Sequence, residues 1–581
     1  MRIVELLGVL RARDIALWAD GGTLRYSAPA GALTPHLRAL LADRKAELLE
    51  LLRSIEAQAP AISQVSLEGA LPLSFAQERL WFLDQLEPGN PVYNIPMALR
   101  LIGNLDVEAL ESSLNEIVRR HEVLRTTFVA QGGVPSQAIA PPLSLNLPIR
   151  DLEGISGIDQ ETEVQRLATE EAQCPFDLSR GPLLRCALLR LQEQEHVLLS
   201  TMHHIVSDGW SRGVFLRELS TLYGAFRAGR PSGLPELPVQ YADYAVWQRE
   251  WLQGEVLEAQ LSYWRRQLSG APTVLDLPTD RPRPAVQSFS GARQSERLSA
   301  ALYKRLNALS REEDVTLFMT LLAAFNVILH RYTGAQDILV GTPIANRNRA
   351  EIEGLIGFFA NTLVLRGDLS GDPTFRELLA RVRETCLDAY AHQDLPFEKL
   401  VEELQPTRSL SHAPIFQVMF ALQNVPRRAL ELSGLEVSQL AVGRATAMFD
   451  LSLVVFEAGA ELRLVFEFNT DLFDATTIGR MRGHLLTLLR GILADPDERI
   501  SRLELLTEAD RHQLIVAWNE MDTDYPEHLC VHQLFEAQVE RTPEAAALRF
   551  AGRELTYREL NYHANQVAHY LRGRGVGPET L

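Results

Sequence analysis

Residues 196–226 combine a continuous apolar run with a helical pattern. The run HVLLSTMHH is apolar and partly β-branched, which is typical of a buried strand. Phe215, Leu219 and Phe226 then recur at helical spacing, so the next segment is predicted to be a helix with one buried face. Strand-like runs alternate with amphipathic helices in this way between about 71 and 500, which predicts an α/β architecture.

The bulk properties of the chain narrow the classes of protein to consider. It has 581 residues, of which 46% are hydrophobic and 23% charged. This is a globular composition, and the length exceeds what one hydrophobic core supports, so we expect several structural units. The formal net charge of −18 argues against nucleic acid as the main partner, because neutralising phosphates requires clustered Lys and Arg.

The cysteines and the apolar runs indicate a cytoplasmic protein. Cys174, Cys186, Cys386 and Cys530 form no CxxC pair, which fits a reducing compartment and indicates neither a disulfide framework nor a zinc site. No apolar run approaches the roughly 18 residues needed to span a bilayer. The start, MRIVELLGVLRARD, is interrupted by charge too soon for a secretory signal. We therefore expect no membrane partner.

Residues 1–56 are predicted to form a small separate unit. IVELLGVLRARD has an apolar helical face, and IALWADGGTLRYSA alternates around Asp-Gly-Gly, a strong hairpin signal. A second amphipathic helix follows, with Thr34 as its N-cap and Pro35 at its first position. Because these elements offer little core, the unit is either an ornament of a larger domain or a docking module. In a docking module the hairpin edge would accept a partner's peptide as an extra strand.

Composition indicates the other boundaries. Residues 57–70 are small, polar and aperiodic, and are predicted to be a linker. The Pro-rich interval 276–286 predicts a crossover between two halves, which extend over about 71–275 and about 276–500. A second linker is predicted at 501–527. Residues 528–581 then predict a helix, a short hairpin around Ala551-Gly552 and a helix, which lack the partners needed to close a core.

Polar and small residues lie where the predicted strand 196–204 meets the following helix. On a strand, His203 and His204 point to opposite faces, so one can face a cavity while the other packs inside. Two histidines that face opposite ways do not chelate one ion, which argues against a metal site. The structural alternative is a pair of hydrogen-bonded histidines at a strand end. Gly209 permits a sharp turn, and Asp208 either caps local amides or forms an ion pair that fixes the loop.

The residue types at this turn limit its chemistry. No Ser or Cys nucleophile stands out in the sequence. A single histidine without a covalent partner suits the deprotonation of an incoming amine or hydroxyl that attacks an activated acyl group. An imidazole with the ordinary pKa of about 6.5 is partly available as a base at neutral pH.

The turn belongs to an ordered series of motifs. The series resembles that of the condensation domains of nonribosomal peptide synthetases, and the resemblance covers roughly residues 71–500. In order, the motifs are LSFAQERLWFLDQL (73–86), RRHEVLRTTF (119–128), MHHIVSDGWS (202–211), YADYAVWQ (241–248), IGFFANTLVLR (356–366) and HQDLPFEKLV (392–401). CPFDLSRGPLLR (174–185) and TPIANRNR (342–349) resemble the same family. A lone HHxxxDG occurs across acyltransferases, whereas the complete ordered series is specific.

The resemblance implies an α/β fold of two chloramphenicol-acetyltransferase-like lobes in a V, with a central tunnel for two phosphopantetheine arms. A small α-β-β-α docking domain would precede them. One arm carries the donor acyl or peptidyl thioester, and the other carries the acceptor aminoacyl thioester, whose amine attacks the donor carbonyl. The domain itself is expected to bind no cofactor and no metal, because its substrates arrive on the 4'-phosphopantetheine of donor and acceptor carrier proteins.

The resemblance also implies roles for individual residues. His204 matches the second histidine of the motif and would act as a base or position the amine, while His203 would be structural. Asp208 is expected to form an ion pair between the lobes, for which Arg347 is the candidate partner. Gly209 would keep the site open, and its amide would contact the thioester carbonyl.

The motif variants resemble the subclass that accepts an L-configured donor terminus. Heterocyclising relatives replace the histidine motif with an Asp-rich one, which argues against cyclisation, and epimerisation domains differ in their other motifs. Ala360 in FFANT is a departure, because the family usually has Val at this position. The smaller side chain is expected to enlarge a local pocket.

The flanking segments resemble neighbouring modules of the same assembly lines. Residues 1–56 resemble the tubulysin-type N-terminal docking domain, which binds the C-terminal tail of an upstream synthetase or polyketide synthase subunit. The tail-binding edge would consist of one hairpin strand and two nearby basic residues: Leu24, Arg25, Tyr26, Arg11 and Arg13. The alternative for the arginines is a solvated face.

Residues 528–581 resemble the opening of an adenylation domain, with LTYREL (555–560) as its first motif. The Gly-rich nucleotide loop and the later motifs are absent, so these residues are not expected to adenylate an amino acid. The sequence is expected to be a part of a longer synthetase.

Three functions follow from these observations. The leading hypothesis is amide-forming condensation with docking to an upstream subunit. A second is ester-forming or other acyl transfer with the same base, and a third is a catalytically silent platform that recruits carrier proteins or oxygenases. The intact HHxxxDG argues against silence. The sequence identifies neither the donor, nor the acceptor, nor the upstream partner.

Overall fold

A computed structural model describes most of the chain in detail. The described residues are 6, 10, 15–20, 23–27, 33–48, 60–66, 69–155, 157–406, 409–423, 431–442, 446–459, 461–521, 526–578 and 580. They divide into two units, residues 1–507 and residues 508–581.

Strands and helices alternate along most of the chain, which confirms the predicted α/β class. The strands are β1 (Ala16–Asp20), β2 (Thr23–Ser27), β3 (Asn94–Gly103), β4 (Thr126–Gln131), β5 (Val134–Ile139), β6 (Ile149–Asp151), β7 (Leu184–Gln192), β8 (Glu195–His203), β9 (Gly291–Leu298), β10 (Asp337–Ile344), β11 (Asn361–Asp368), β12 (Val418–Gln423), β13 (Leu435–Leu440), β14 (Leu451–Ala458), β15 (Glu461–Asn469), β16 (Ala546–Phe550) and β17 (Arg553–Thr556).

The helices are α1 (Pro35–Asp43), α2 (Phe75–Leu86), α3 (Val107–Arg120), α4 (Gly157–Gln173), α5 (Gly209–Arg227), α6 (Tyr241–Trp251), α7 (Gly254–Leu268), α8 (Ala300–Glu312), α9 (Leu317–Thr333), α10 (Ala350–Glu353), α11 (Phe375–Ala391), α12 (Phe397–Leu404), α13 (Ala475–Ala494), α14 (Glu508–Ile515), α15 (Val531–Arg541) and α16 (Tyr557–Gly573). Within the described part of the chain, no single helix is long and apolar enough to cross a membrane, and only the bent pair α8 and α9 reaches that length and composition together.

Two sheets define two lobes in the first unit. The first lobe contains a five-stranded sheet in the order β13-β3-β8-β7-β6, in which β6 and β7 are parallel and the other pairs are antiparallel. The second lobe contains a six-stranded sheet in the order β11-β10-β12-β14-β15-β9. Helices α3 and α5 pack together in the first lobe, and α9 packs against both α11 and α13 in the second.

The second lobe is organised around α9. Every residue from Leu317 to Leu329 is buried, because LFMTLLAAFNVIL is apolar on nearly all sides. The side chain of Thr316 accepts a hydrogen bond from the Met319 amide at the helix start. Gly334 ends the helix in the left-handed conformation that glycine adopts without strain.

The division of the chain between the two lobes differs from the predicted boundary between residues 275 and 276. Helix α7 already contributes Leu261 and Trp264 to the core of the second lobe, so the chain changes lobe before the Pro-rich interval. Strand β13 pairs with β3 and therefore completes the sheet of the first lobe, although it follows most of the second lobe in sequence.

A third crossing occurs at residues 346–360, here named the bridging segment. It connects β10 to β11, two neighbouring strands of the second-lobe sheet. Nevertheless Ile352, Ile356 and Phe359 are buried in the core of the first lobe. The bridging segment therefore belongs to the second lobe by connection and to the first lobe by packing.

The N-terminal region has the predicted hairpin and second helix. Strands β1 and β2 are antiparallel, and the Thr34 hydroxyl accepts the Leu37 amide hydrogen at 3.2 Å, with Pro35 in the first turn. The predicted linker is tied to α6, since the Trp247 indole donates to the Pro60 carbonyl and the Val65 amide donates to the Asp243 carboxylate. Most of the predicted first helix lies outside the described residues.

The second unit has the predicted helix, hairpin and helix. Strands β16 and β17 are antiparallel and are joined by Ala551 and Gly552, whose φ angles of 48° and 78° are those of a tight hairpin turn. None of its described residues is buried. Residues 501–507, predicted as linker, instead belong to the first unit, where Leu503 is buried.

Gly357 should be essential for the packing of the bridging segment. A Cβ at this position would lie 2.1 Å from the buried Tyr241 ring, whereas a Cβ at Gly354 would come no closer than 3.9 Å to any side chain. We expect Gly357→Ala to lower the free energy of unfolding by about 1–3 kcal/mol, as overpacking does. Gly354→Ala should stay within about 0.5 kcal/mol of the parent in urea denaturation. Equal stability of the two variants would contradict this packing.

Candidate active site

The histidine pair lies where β8 ends. His203 is the last residue of the strand, and His204 begins a short 3₁₀ turn that runs to Val206. The Nδ1 atom of His203 accepts a hydrogen bond from the Ile205 amide at 3.2 Å, which stabilises the turn. The prediction that both histidines belong to the strand is therefore wrong for His204, because the turn starts one residue earlier.

His203 is an internal, neutral residue. It is buried, with the rings of Tyr93 and Phe176 at centroid distances of 6.3 and 6.0 Å. Burial, together with the neighbouring His204 and Arg185, lowers the pKa of His203 to about 3. It is therefore uncharged near neutral pH, and its acceptor Nδ1 is occupied by the turn.

His204 is half-buried beside an aromatic side chain of the bridging segment. Its ring meets the Phe358 ring edge-to-face, with centroids 4.6 Å apart. The contact with Phe358 fixes one side of the His204 imidazole. The ring is only partly buried, so another molecule can still reach it. Of the two histidines, His204 is the one that can meet a substrate.

Asp208 joins the turn to the bridging segment. It is buried, and it is the N-cap of α5, where its Oδ1 accepts the Ser211 amide hydrogen at 2.8 Å. Its Oδ2 accepts the amide hydrogens of Phe359 at 3.0 Å and Ala360 at 3.2 Å. The Oδ1 atom also lies 3.3 Å from the Arg347 guanidinium. Asp208 therefore caps local amides and forms an ion pair at the same time, which are the two roles considered from the sequence.

Arg347 is as buried as its partner. Its Nη1 donates to the carbonyls of Ile352 at 2.6 Å and Leu355 at 2.7 Å, and its Nη2 donates to Asp208 and to the Ser211 hydroxyl. The guanidinium carbon also lies 4.1 Å from the centre of the Phe359 ring. Burial lowers the pKa of Arg347 and the Asp208 carboxylate opposes this effect. Groups of the turn and the bridging segment thus compensate the charge through both Nη atoms of the guanidinium.

Ser211 and Tyr241 hold the bridging segment from the first lobe. The Ser211 hydroxyl donates to the Gly357 carbonyl at 2.8 Å and accepts the Gly357 amide hydrogen at 3.0 Å. The Tyr241 hydroxyl donates to the Phe358 carbonyl at 2.6 Å and lies 2.8 Å from the Ser74 hydroxyl. These bonds set the backbone of the residue that contacts His204.

A second buried charged cluster anchors the same segment. His121 accepts the Ile356 amide hydrogen on Nδ1 at 3.2 Å, so its Nε2, 3.1 Å from Glu218, is the donor. Burial lowers the pKa of His121, although Glu218 opposes the shift. Arg120 also donates to Glu218 with two nitrogens, each at 3.2 Å. No role is predicted for these residues from the sequence. The available signal was a glutamate on the apolar face of α5, since Glu218 lies three residues after Phe215.

Gly209 is the exposed first residue of α5. Its φ lies outside the left-handed region, so its backbone conformation is one that other residues can also adopt. A Cβ at this position would meet no atom within 4 Å. The glycine therefore leaves open space at the helix N-terminus, where amide groups point outward.

The predicted docking edge lies far along the chain from this turn. Leu24 is half-buried in β2, and Arg25 and Tyr26 pair with Trp18 and Leu17 of β1 through the backbone. The side chains of Arg25 and Tyr26, and all of Arg11 and Arg13, lie outside the described residues. In the part of the chain that the structure describes, no group of three or more His, Cys, Asp or Glu could hold a metal ion.

Comparison with family models finds three matches along the chain. Residues 67–515 match the condensation domain, residues 3–54 match the TubC N-terminal docking domain, and residues 535–581 match the AMP-binding enzyme family. The condensation match extends beyond the predicted range of 71–500 at both ends.

Curated relatives include much longer synthetases. One linear gramicidin synthase polypeptide of Brevibacillus parabrevis is 53% identical over 541 residues, which are 92% of this chain and 10% of the relative. Phosphinothricin tripeptide synthetase PhsC of Streptomyces viridochromogenes is 44% identical over 553 residues, 94% of this chain and 50% of the relative. The chain thus spans between a tenth and a half of the length of these relatives.

Solved structures show the same fold. A four-domain nonribosomal peptide synthetase in its holo form, bound to AMP and glycine, is 25% identical with a TM-score of 0.78, covering 88% of this chain and 40% of that one. The X-domain from teicoplanin biosynthesis is 33% identical with a TM-score of 0.70, covering 77% of this chain and 100% of that one. The X-domain was also solved in complex with OxyB.

The buried pair of Asp208 and Arg347 should be energetically asymmetric. Asp208→Ala leaves Arg347 and three amides without their acceptor, so we expect a loss of about 3–5 kcal/mol in the free energy of unfolding. Arg347→Met leaves the carboxylate with its three amide donors, and we expect a loss of about 1–3 kcal/mol. Urea denaturation of both variants and of the double variant measures their coupling.

The surface pair of Arg166, which is exposed, and Glu163, which is half-buried, supplies the control for this cycle, and Arg166→Met should change stability little. Strict additivity of Asp208→Ala and Arg347→Met would contradict a direct interaction between the two side chains.

Proposed function

The chain belongs to the condensation-domain family, and on this premise we propose that it joins two carrier-bound acyl groups through an amide bond. The amine of an acceptor aminoacyl thioester attacks the carbonyl carbon of a donor acyl or peptidyl thioester. A C–N bond forms, the donor C–S bond breaks, and the amine proton ends on the released thiol. The chain is thus an acyltransferase whose product stays on the acceptor carrier.

The placement of His204 carries this proposal. The imidazole is half-exposed, and its position is fixed by the Phe358 ring and by the hydrogen-bonded turn on either side of it. An imidazole can accept a proton near neutral pH, which suits the removal of a proton from the attacking amine or the orientation of its lone pair. His203 and Asp208 would act through structure, since both are buried and occupied by other groups.

The N-terminus of α5 would assist the reaction. Gly209 is exposed there, and the space beside it is open. Amides at a helix N-terminus stabilise negative charge, and such charge develops on the carbonyl oxygen during attack on a thioester. We assign the Gly209 amide to this oxygen.

Carrier proteins and an upstream subunit would be the partners. Both thioesters would be presented on the 4'-phosphopantetheine of carriers, so this domain needs no cofactor of its own. Residues 3–54 match a docking domain, which supports binding of the C-terminal tail of an upstream subunit to the β1–β2 hairpin. We further propose that the donor ends in an L-configured residue. Comparing product formation from two donors that differ only in the configuration of this residue would test the assignment.

A catalytically silent recruiting platform is the second candidate. The observation in its favour is the 33% identical X-domain, a relative solved in complex with OxyB. Against it stands the half-exposed His204, which a silent platform would not need. An ester-forming reaction would use the same residues with a hydroxyl in place of the amine.

Substitution of His204 should separate these functions. With donor- and acceptor-loaded carriers, we expect His204→Ala to lower the rate of product formation by about 100- to 10,000-fold, the range for removal of a general base. Mass spectrometry of the acceptor carrier measures the product, and carrier binding should persist. His563→Ala, in an exposed helix of the second unit, is the matched control.

Full product formation by His204→Ala would refute the assigned role. Product from hydroxyacyl but not aminoacyl acceptors would favour ester formation. A parent protein that binds both carriers and forms no product would favour the silent platform.

Removal of residues 1–56 should separate docking from condensation. We expect the truncated chain to lose affinity for the C-terminal peptide of the upstream subunit in calorimetry, because the hairpin edge is gone. Condensation with freely supplied carriers should continue, since the histidine turn lies elsewhere. Equal peptide affinity of the two chains would show that the docking site lies outside residues 1–56.

A further inference from the structure

The second lobe contains a cavity that the candidate active site does not use. Its volume is about 150 Å³. It lies where the end of α9 meets the start of β10 and the residues leading into β12, and residues 272–276, which follow α7, form one wall. A protein cavity of about 150 Å³ is large enough to hold a benzene molecule.

The cavity is remote from the histidine turn. Asp337 and Leu339, which line it, belong to the first half of β10, whereas the bridging segment follows the other end of that strand. The eight residues of β10 extend about 23 Å, at a rise of about 3.3 Å per residue. A molecule that fits the cavity would therefore not reach His204.

Most of the lining is apolar, and much of its polar part is already bonded. The apolar residues are Pro272, Val274, Leu275, Leu339, Ile415 and Phe416. The Gln417 side chain accepts the Leu275 amide hydrogen at 2.8 Å and donates to the Thr273 carbonyl at 2.9 Å. Asp337 accepts two hydrogen bonds from Arg366, at 2.9 and 2.7 Å. The wall is thus held in place by bonds that a ligand would not need to break.

Ile415 has a strained backbone in this wall. Its φ is 68°, which is unusual for a β-branched residue. The Phe416 amide donates to the Pro414 carbonyl at 2.8 Å across it, so the three residues form the rare γ-turn with a positive central φ. The Phe416 ring is fixed in turn, because it lies against Gly341 and stacks on Phe449 with centroids 5.3 Å apart. Strained backbone of this kind is concentrated at ligand sites.

Asp276 supplies a charge at the solvent side of the cavity. It lines the cavity and is exposed, and its carboxylate makes no hydrogen bond within the described part of the chain. Its charge acts on Arg283, but both Nη atoms of that guanidinium are bonded to Asp450. Pro272 and Val274 beside it are also exposed, so the cavity can be entered from solvent here.

We propose that this cavity is a second ligand site, which binds a small amine whose apolar part has about the size of an aromatic ring. The ring would occupy the apolar interior and the ammonium group would lie beside Asp276. Ligand sites commonly combine apolar walls with a few polar groups that fix orientation. Anions are disfavoured because the carboxylates of the lining are negative. The inference is independent of the proposed function, since it uses no residue of the histidine turn.

The experiment measures the binding of three small probes to the full chain by ligand-observed NMR titration. The probes are 2-phenylethylamine, the neutral 2-phenylethanol and the anionic phenylacetate, which share one ring. Ala335→Leu fills the cavity from its lining, and Ala301→Leu on the exposed first turn of α8 is its matched control. Asp276→Asn removes the charge, with the exposed Asp159→Asn as control. Thermal unfolding without probe checks that each variant is folded.

We expect the amine to bind most tightly and phenylacetate least tightly. Ala335→Leu should raise the dissociation constants of the amine and the alcohol about 10-fold or more, because the added side chain occupies the space of the ring. Asp276→Asn should weaken binding of the amine about 2- to 5-fold, the effect of one exposed charge, and leave the alcohol unchanged. Both control variants and His204→Ala should bind all three probes as the parent does.

The outcomes separate this site from the histidine turn. Absence of amine binding to the parent would overturn the proposal, as would equal affinity of the parent and a folded Ala335→Leu variant. Loss of binding in His204→Ala would also overturn it, because the probe would then occupy the turn. Equal weakening of amine and alcohol by Asp276→Asn would refute the role of the carboxylate.

Discussion

The carboxylate of Asp208 is the interaction on which the candidate site depends. One buried side chain caps α5, holds two amides of the bridging segment and faces the Arg347 guanidinium. These contacts use both oxygens, so the carboxylate cannot rotate without losing several bonds at once. The N-terminus of α5, which bears Gly209, and the backbone that presents Phe358 to His204 are therefore fixed relative to each other.

Burying this ion pair does not by itself make the fold stable. Removing two charges from water costs several kcal/mol per ion, and the attraction between them roughly repays that cost only with good geometry and additional hydrogen bonds. Asp208 and Arg347 have both, since each makes further bonds to backbone groups. The pair chiefly fixes how the turn and the bridging segment are aligned, because a displaced arrangement would leave a buried charge unpaired.

Local patterns predicted the local structure well, and family resemblance predicted part of the site. The helix with Thr34 and Pro35 and the hairpin at Ala551-Gly552 follow from capping and turn chemistry within a few residues. The pairing of β13 with β3, the early lobe change at α7 and the packing of Ile356 in the first core were not predicted, because they join residues far apart in sequence. Spacing alone could not bring Arg347 to Asp208, since the two lie 139 positions apart in sequence. The buried His121 and Glu218 were missed for the same reason.

The bridging segment constrains how the two lobes could move. Its ends continue into β10 and β11 of the second lobe, while its centre is bonded to Asp208, Ser211 and Tyr241 of the first. A separation of the sheets that preserved these buried bonds would have to bend the chain at the ends of the segment. Asn346 lies at one of those ends, in a left-handed conformation, and Ala360 lies at the other. A bend at these two residues would leave the contact between Phe358 and His204 intact, because Tyr241 of the first lobe bonds to the Phe358 carbonyl.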